Sequence, residues 1–288
     1  MNDLLNSTLT PEEKWERATL ANNFLFCKIM ESEPEICKHV IEILLGIEID
    51  RIEVPQSERT MQESFESKSV RFDVYAKDSG RIFDVEMQTT TSKKLAKRSR
   101  YYQSIIDVEH LSAGTDYGEL KDVYIIFICL GDVFGNELPV CTFENVCTED
   151  GITKLNDRTF KVFFNANLCD KIDSKERRNF LAFLKANEAS DDFTETLRKK
   201  VALAKKNMEW RRQYMTWEQT IKEYAKDAFD EGVKKGLEDG MKENARNNAI
   251  SLLQETDLPL EVIAKCCKLP VEEVLELKEN LQTEAVRT

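Results

Sequence analysis

Two runs of strand-forming residues, Ser69-Val-Arg-Phe-Asp-Val-Tyr-Ala and Arg81-Ile-Phe-Asp-Val-Glu-Met-Gln-Thr, flank Asp78-Ser-Gly80. An Asp-Ser-Gly turn between β-rich runs predicts a hairpin, with strands over roughly Lys68 to Lys77 and Arg81 to Thr90. Side chains two apart on a strand point the same way. Asp84, Glu86 and Gln88 therefore share one face, while Phe83, Val85 and Met87 take the other. Asp73 stands between Phe72 and Val74 on the first strand. Aspartate is disfavoured inside strands and needs a reason to be there. Acidic oxygens gathered at the end of a hairpin are what a divalent cation requires.

The chain has 288 residues, enough for one large domain or two smaller ones with a sizeable core. One third of the residues are charged, and glycine and proline are few, which points to a helix-rich protein with strands confined to one region. The longest apolar runs, such as Val123 to Leu130, are of strand length and far short of a membrane span. The polar start from Met1 to Pro11 lacks a secretory leader, so the expectation is a cytoplasmic protein with no membrane contact. Eight scattered cysteines without a CxxC pair, and only two histidines, argue for reduced buried thiols and against a zinc site. A net charge of -12 argues against a uniformly basic nucleic-acid coat. Charge is nevertheless uneven: Lys93-Lys-Leu-Ala-Lys-Arg-Ser-Arg100 puts five cations into eight residues directly after the acidic strand.

Along the chain, Pro11 to about Leu45 reads as helical, broken at Glu33-Pro34. Ile47 to Val54 alternates weakly and predicts an edge strand, and the polar stretch Gln56 to Glu66 predicts a loop. Beyond the hairpin, Thr91-Ser92 predicts the cap of a helix reaching about Ser112 and ended by Gly114. Asp122 to Leu130 is continuously apolar after its first residue, as in a strand covered on both faces, and Arg158 to Phe164 predicts a further strand. From about Ser174 the pattern is helical only, including a long charged helix from about Asn207 into the 240s. The expected division is an α/β domain over 1–170 and a helical C-terminal region over 171–288. In that region Gly232, Gly236 and Gly240 recur four apart, a spacing that suits either self-association or a frayed tether. Downstream, Leu258 to Leu275 has the outline of a small helix-turn-helix with few basic residues, which favours a packing or oligomerisation segment.

Several short motifs together resemble a known group. They are Lys68-x-x-Arg71-Phe-Asp73-Val, Glu86-Met-Gln88, Arg98-x-x-Tyr101-Tyr102-Gln103-Ser104, and Leu111-x-x-Gly114-x-x-Tyr117-x-x-Leu120. In these residues, and more loosely from Asn22 to about Phe134, the chain resembles the PD-(D/E)XK nuclease superfamily, and within it the recombination-promoting nuclease and transposase family. The resemblance implies a restriction-endonuclease-like α/β core, a mixed central sheet flanked by helices, here followed by an all-helical arm. It implies metal-dependent cleavage of DNA, with Asp73 and Glu86 as ligands to Mg2+, or to Mn2+ or Ca2+ in its place, and with Gln88 at the catalytic position where lysine is usual, so that catalysis leans on the metal and on cations such as Arg98 or Arg71. A second departure lies at Asn22-Asn23-Phe24, where the family often has Asn-Asp.

Other residues have two readings each. Asp84 supports the metal or pairs with Arg71 or Arg81, and Glu42 adds another acid or remains a solvated helix glutamate. Lys93, Lys94, Lys97, Arg98 and Tyr101 are expected to contact DNA, although a basic run is commonly just a solvated helix face. Tyr102 belongs to the same surface or, with Leu95, Ile105 and Ile106, to the stripe that docks the helix on the sheet. Two functions follow: a metal-dependent DNA endonuclease linked to recombination or mobile elements, or a catalytically reduced relative that binds DNA or protein without cutting.

Overall fold

The computed structural model describes residues 9–61, 70–89 and 94–285, so that Lys68, Lys93 and the expected cap at Thr91-Ser92 lie outside the described residues. Two compact units divide the chain, Leu9–Met215 and the helices from Thr216 on.

The first unit opens with three helices, α1 (Pro11–Arg17), α2 (Asn23–Ser32) and α3 (Pro34–Leu45). Each start has a local cause. Thr10 and Glu13 form a capping box, Asn22 accepts the Leu25 N–H, and Pro34 occupies the first turn of α3. A single six-stranded sheet follows, with β1 (Gln56–Met61), β2 (Val70–Lys77), β3 (Arg81–Gln88), β4 (Asp122–Cys129), β5 (Val140–Phe143) and β6 (Thr159–Asn165). Its spatial order is β1-β2-β3-β4-β6-β5. β1, β2 and β3 are mutually antiparallel, β3, β4 and β6 run parallel, and β5 closes the far edge antiparallel to β6. This is the mixed, helix-flanked sheet of a restriction-endonuclease-like fold.

The hairpin forms where the sequence predicts it. Asp78 Oδ1 accepts the N–H groups of Gly80 and Arg81, which fixes the turn. β4 is apolar because it is central, with Ile125, Ile126, Phe127 and Ile128 all buried. Helix α4 (Leu95–His110) crosses one face of the sheet, seating Leu95, Tyr102, Ile105 and Ile106 in a cluster with Phe72, Tyr75, Phe127 and Phe163. Burial of each such apolar side chain contributes about 1.5–3 kcal/mol. Two expectations are corrected at the sheet margins. Ile47 to Val54 forms no strand, and the edge strand is β1, inside the stretch read as loop. β5 carried no expectation at all. Both pair along one side only, so neither requires an apolar signature.

The sheet ends at Asn165, and the compact unit continues to Met215. Helices α5 (Lys175–Ala186) and α6 (Asp192–Lys206) bury Phe180, Phe183, Leu184, Leu197 and Val201, with α5 lying against α3 and α6 against α2. Arg177 Nε donates to the Ile43 carbonyl across 2.8 Å, and Trp15 Nε1 donates to the Lys205 carbonyl across 3.2 Å. Helix α7 (Met208–Glu255) begins in this unit, where Tyr214 packs on Trp15 with ring centroids 5.0 Å apart.

In the second unit, the end of α7, α8 (Leu260–Cys267) and α9 (Val271–Ala285) close around Ala249, Ile263, Ala264, Cys267 and Val274. Among the described residues no helix is long and apolar enough to cross a membrane.

Candidate active site

β2 and β3 pair regularly from Lys77↔Ile82 to Val74↔Val85. At the next step side chains enter the ladder. The Asp73 N–H donates to Glu86 Oε1 across 3.0 Å, and the Met87 N–H donates to Asp73 Oδ2 across 3.0 Å. The two strands are thus joined here through their own carboxylates. The β3–β4 register sets Asp84, Glu86 and Gln88 beside Ile125, Phe127 and Cys129, so the acidic row is walled by apolar side chains.

Burial decides the electrostatics. Asp84 and Glu86 have no solvent exposure, and Asp73 very little. Burial, then the Asp73 charge, pushes the Glu86 carboxyl up to about 8, against the pull of Arg98. Asp84 is raised well above the carboxylate range by burial and by the charges of Glu86 and Asp73. Asp73 is raised by burial, which outweighs hydrogen bonds from Asn23 and the Met87 N–H and the charges of Arg98 and Arg71. Both Asp84 oxygens lack a hydrogen-bond donor. Two carboxylates have no proton to offer each other, so the contact of Asp84 with Glu86 becomes a hydrogen bond only once a proton enters the pair.

Arg98 closes this acidic cluster from α4. Its Nη2 contacts Glu86 Oε2, its Nη1 donates to Gln88 Oε1 across 3.2 Å, and its Nε donates to the Tyr102 hydroxyl across 2.8 Å. The guanidinium lies 5.0 Å from the Tyr102 ring centroid and 5.3 Å from that of Phe127. The positive charge that a lysine at position 88 would bring is therefore held against Gln88 by a neighbouring helix.

The structure brings together Asp73, Asp84, Glu86, Gln88 and Arg98. Arg71 is exposed on β2, and its charge acts on Asp73. Glu42 is committed elsewhere: it accepts the Ile49 N–H across 2.9 Å and lies 3.9 Å from Lys38. Of the expected DNA contacts, Lys94 and Lys97 are exposed, Tyr101 packs partly buried against the core, and Arg98 turns inward to the acids. Tyr102 takes the docking reading, buried in the stripe, and its hydroxyl accepts a hydrogen bond from Arg98. Asn23 had been noted only as a departure, yet its side chain reaches Asp73 from the first turn of α2. Phe127 had no signal of its own, and only the strand register places it under Arg98.

The donor set suits a hard divalent cation: carboxylate oxygens, one pair of them buried without donors, and an amide carbonyl. Among the described residues, no three Asp, Glu, Cys or His side chains converge as a ready-made cage. Two carboxylates completed by water and substrate oxygens fit the arrangement better. No curated protein and no solved structure matches the chain. A family model described as PD-(D/E)XK nuclease family transposase matches residues 20–233, which include the whole sheet and every residue of the acidic cluster. On that match and on its mixed sheet, the chain belongs to the PD-(D/E)XK nuclease family transposases.

Proposed function

We propose that the chain is a divalent-metal-dependent DNA endonuclease that hydrolyses phosphodiester bonds at the end of the β2–β3 hairpin. The observation that carries this reading is the meeting of Asp73 and Glu86 where the strands part, with the donor-free oxygens of Asp84 behind them. Asp73 and Glu86 would hold Mg2+, or Mn2+ or Ca2+ in its place, with Asp84 in support. Bound there, the cation supplies charge neutralisation and a more acidic attacking water.

The chain's own residues do the rest. Hydrogen bonds from the Met87 N–H and Asn23 orient Asp73, and the Asp73 N–H orients Glu86. Arg98 offers a guanidinium suited to two phosphate oxygens and stands where the family's lysine is replaced by Gln88. The Gln88 amide is uncharged, so it orients by hydrogen bonding while Arg98 supplies the positive field. Exposed Lys94 just before α4, Lys97 on α4 and Arg71 on β2 contact the DNA backbone on either side. The link to recombination or mobile elements rests on the family's description.

The test incubates the purified chain with supercoiled plasmid and Mg2+, Mn2+ or Ca2+, beside Glu86→Gln and Asp73→Asn. Cleavage reduced at least ~100-fold in either variant supports the reading. Equal cleavage in the variants, or none with any metal, overturns it. A mobility shift without cleavage in every metal favours the non-cutting, DNA-binding relative.

A further inference from the structure

Resting on the DNA-cleaving reading of the acidic cluster, we propose that a cavity between α4 and the β5–β6 edge of the sheet takes an unpaired nucleotide flanking the cleaved bond. The cavity holds about 440 Å3, within the ~300–1,000 Å3 usual for small-molecule pockets. Phe163 lines it from the sheet, and Phe134 and Phe143 stand against that ring at 86° and 85°, with centroids 5.0 and 5.8 Å away. Phe134 and Phe143 remain 38% and 43% exposed, so burial does not account for where they stand. Phe134 is held instead by its loop, where Asp132 Oδ1 accepts the N–H groups of Phe134 and Gly135 and Oδ2 accepts that of Glu137. Rings fixed half in solvent are stacking platforms for a base.

The polar lining selects a nucleotide over an apolar segment of protein. Arg100 and Lys161 line the cavity and none of its residues is acidic, although the chain carries a net charge of -12. Arg100 is exposed and suits a phosphate. Lys161 Nζ donates to Thr159 Oγ1 across 3.2 Å, and burial lowers its ammonium against the charges of Asp157 and Asp107. A phosphate at the mouth would favour the charged form again. Each lining amide is anchored through one N–H, Gln103 on Asp107 across 3.3 Å and Asn145 on Asp157 across 2.6 Å, which leaves its carbonyl and second N–H for the edge of a base. Position agrees with this occupant. Glu86, Phe127 and Phe163 are register partners on β3, β4 and β6, so the cavity begins two strand spacings, about 10 Å, from the acids. A base held in a duplex stack cannot enter it, and leaving the stack costs least for a mismatched or single-stranded base.

The test measures binding of the full chain, in Ca2+, to a fluorescein-labelled duplex carrying a mismatch and to the same duplex fully paired. The mismatched duplex should bind at least ~10-fold tighter, and Phe134→Ala with Phe143→Ala should remove that preference while leaving the paired duplex within about twofold. Phe134→Tyr, which keeps a ring, should keep the preference. Equal affinity for the two duplexes, or a double variant that weakens both alike, overturns the inference. So does a preference that survives the double variant, which would give the rings to a protein partner instead. Supercoiled-plasmid cleavage by the wild-type chain, run alongside, shows in each of these cases whether the nuclease reading stands without the cavity; neither binding nor cleavage of any DNA overturns both. Photo-cross-linking of the wild-type chain covers a double variant that fails to fold. Iodouracil at the mismatch should attach to Phe134 or Phe143, as mapped by mass spectrometry, and attachment elsewhere, or none, overturns the assignment.

Discussion

Asp84 sits in full burial with two oxygens that receive no hydrogen bond, a state that disfavours its charge. Asp84→Asn keeps the shape and removes the charge. In EDTA at pH 8 we expect it to stabilise the chain by about 1–3 kcal/mol, read as a rise in Tm, while the stabilisation by added Mn2+ shrinks. An unchanged Tm with unchanged response to Mn2+ would mean that Asp84 takes no part. Glu86 sets the pH dependence. Its folded-state value of about 8 exceeds the ordinary 4.5. Between those values the folded chain keeps a proton that the unfolded chain releases. This contribution to stability is complete below pH 4.5, falls as pH rises, and is gone above about 8. The metal-free Tm should therefore decline from pH 5 to pH 8, and less steeply in Glu86→Gln. A flat profile would show that Glu86 is ionised throughout.

At the scale of elements, α3 ends on Gly46 at φ +68°, with Arg177 Nη2 only 3.1 Å from where a Cβ would stand. Gly46→Ala should cost about 1–2 kcal/mol and lower Tm by a few degrees, and a neutral result would mean that the α3 end readjusts. Sequence disclosed the elements that are covered on both sides. β4 shows it as a continuous apolar run, and the hairpin shows it through Asp78 and alternating faces. β1, reading Gln-Ser-Glu-Arg-Thr-Met, was hidden because a strand at the sheet margin pairs through its backbone along one side and requires no apolar run. In the candidate site, Asp73 and Glu86 stood out because acids are disfavoured inside strands. Arg98 was expected among the DNA contacts, and its turn towards Glu86 and Gln88 follows from the stripe it shares with Leu95, Tyr102 and Ile105, spaced by three and four residues. The convergence of Asn23 on Asp73 needs α2 folded against the sheet, and no local pattern announces that.

For the whole molecule, a net charge of -12 repels DNA, so binding must be local and strongly screened by salt. In Ca2+, affinity for duplex DNA should fall at least tenfold between about 50 and 200 mM salt. Lys94→Glu with Lys97→Glu should weaken binding further and lower the salt slope by about two. An unaltered slope would place the DNA elsewhere. The same acids that would serve the chemistry also bridge two strands of the sheet, since the Asp73 and Glu86 carboxylates accept backbone N–H groups from the opposite strand. Truncating either one would cut a seam in the protein as well as the proposed reaction. An alanine at position 73 or 86 would therefore report lost folding as lost cleavage, whereas asparagine and glutamine leave the seam closed and let the two be told apart.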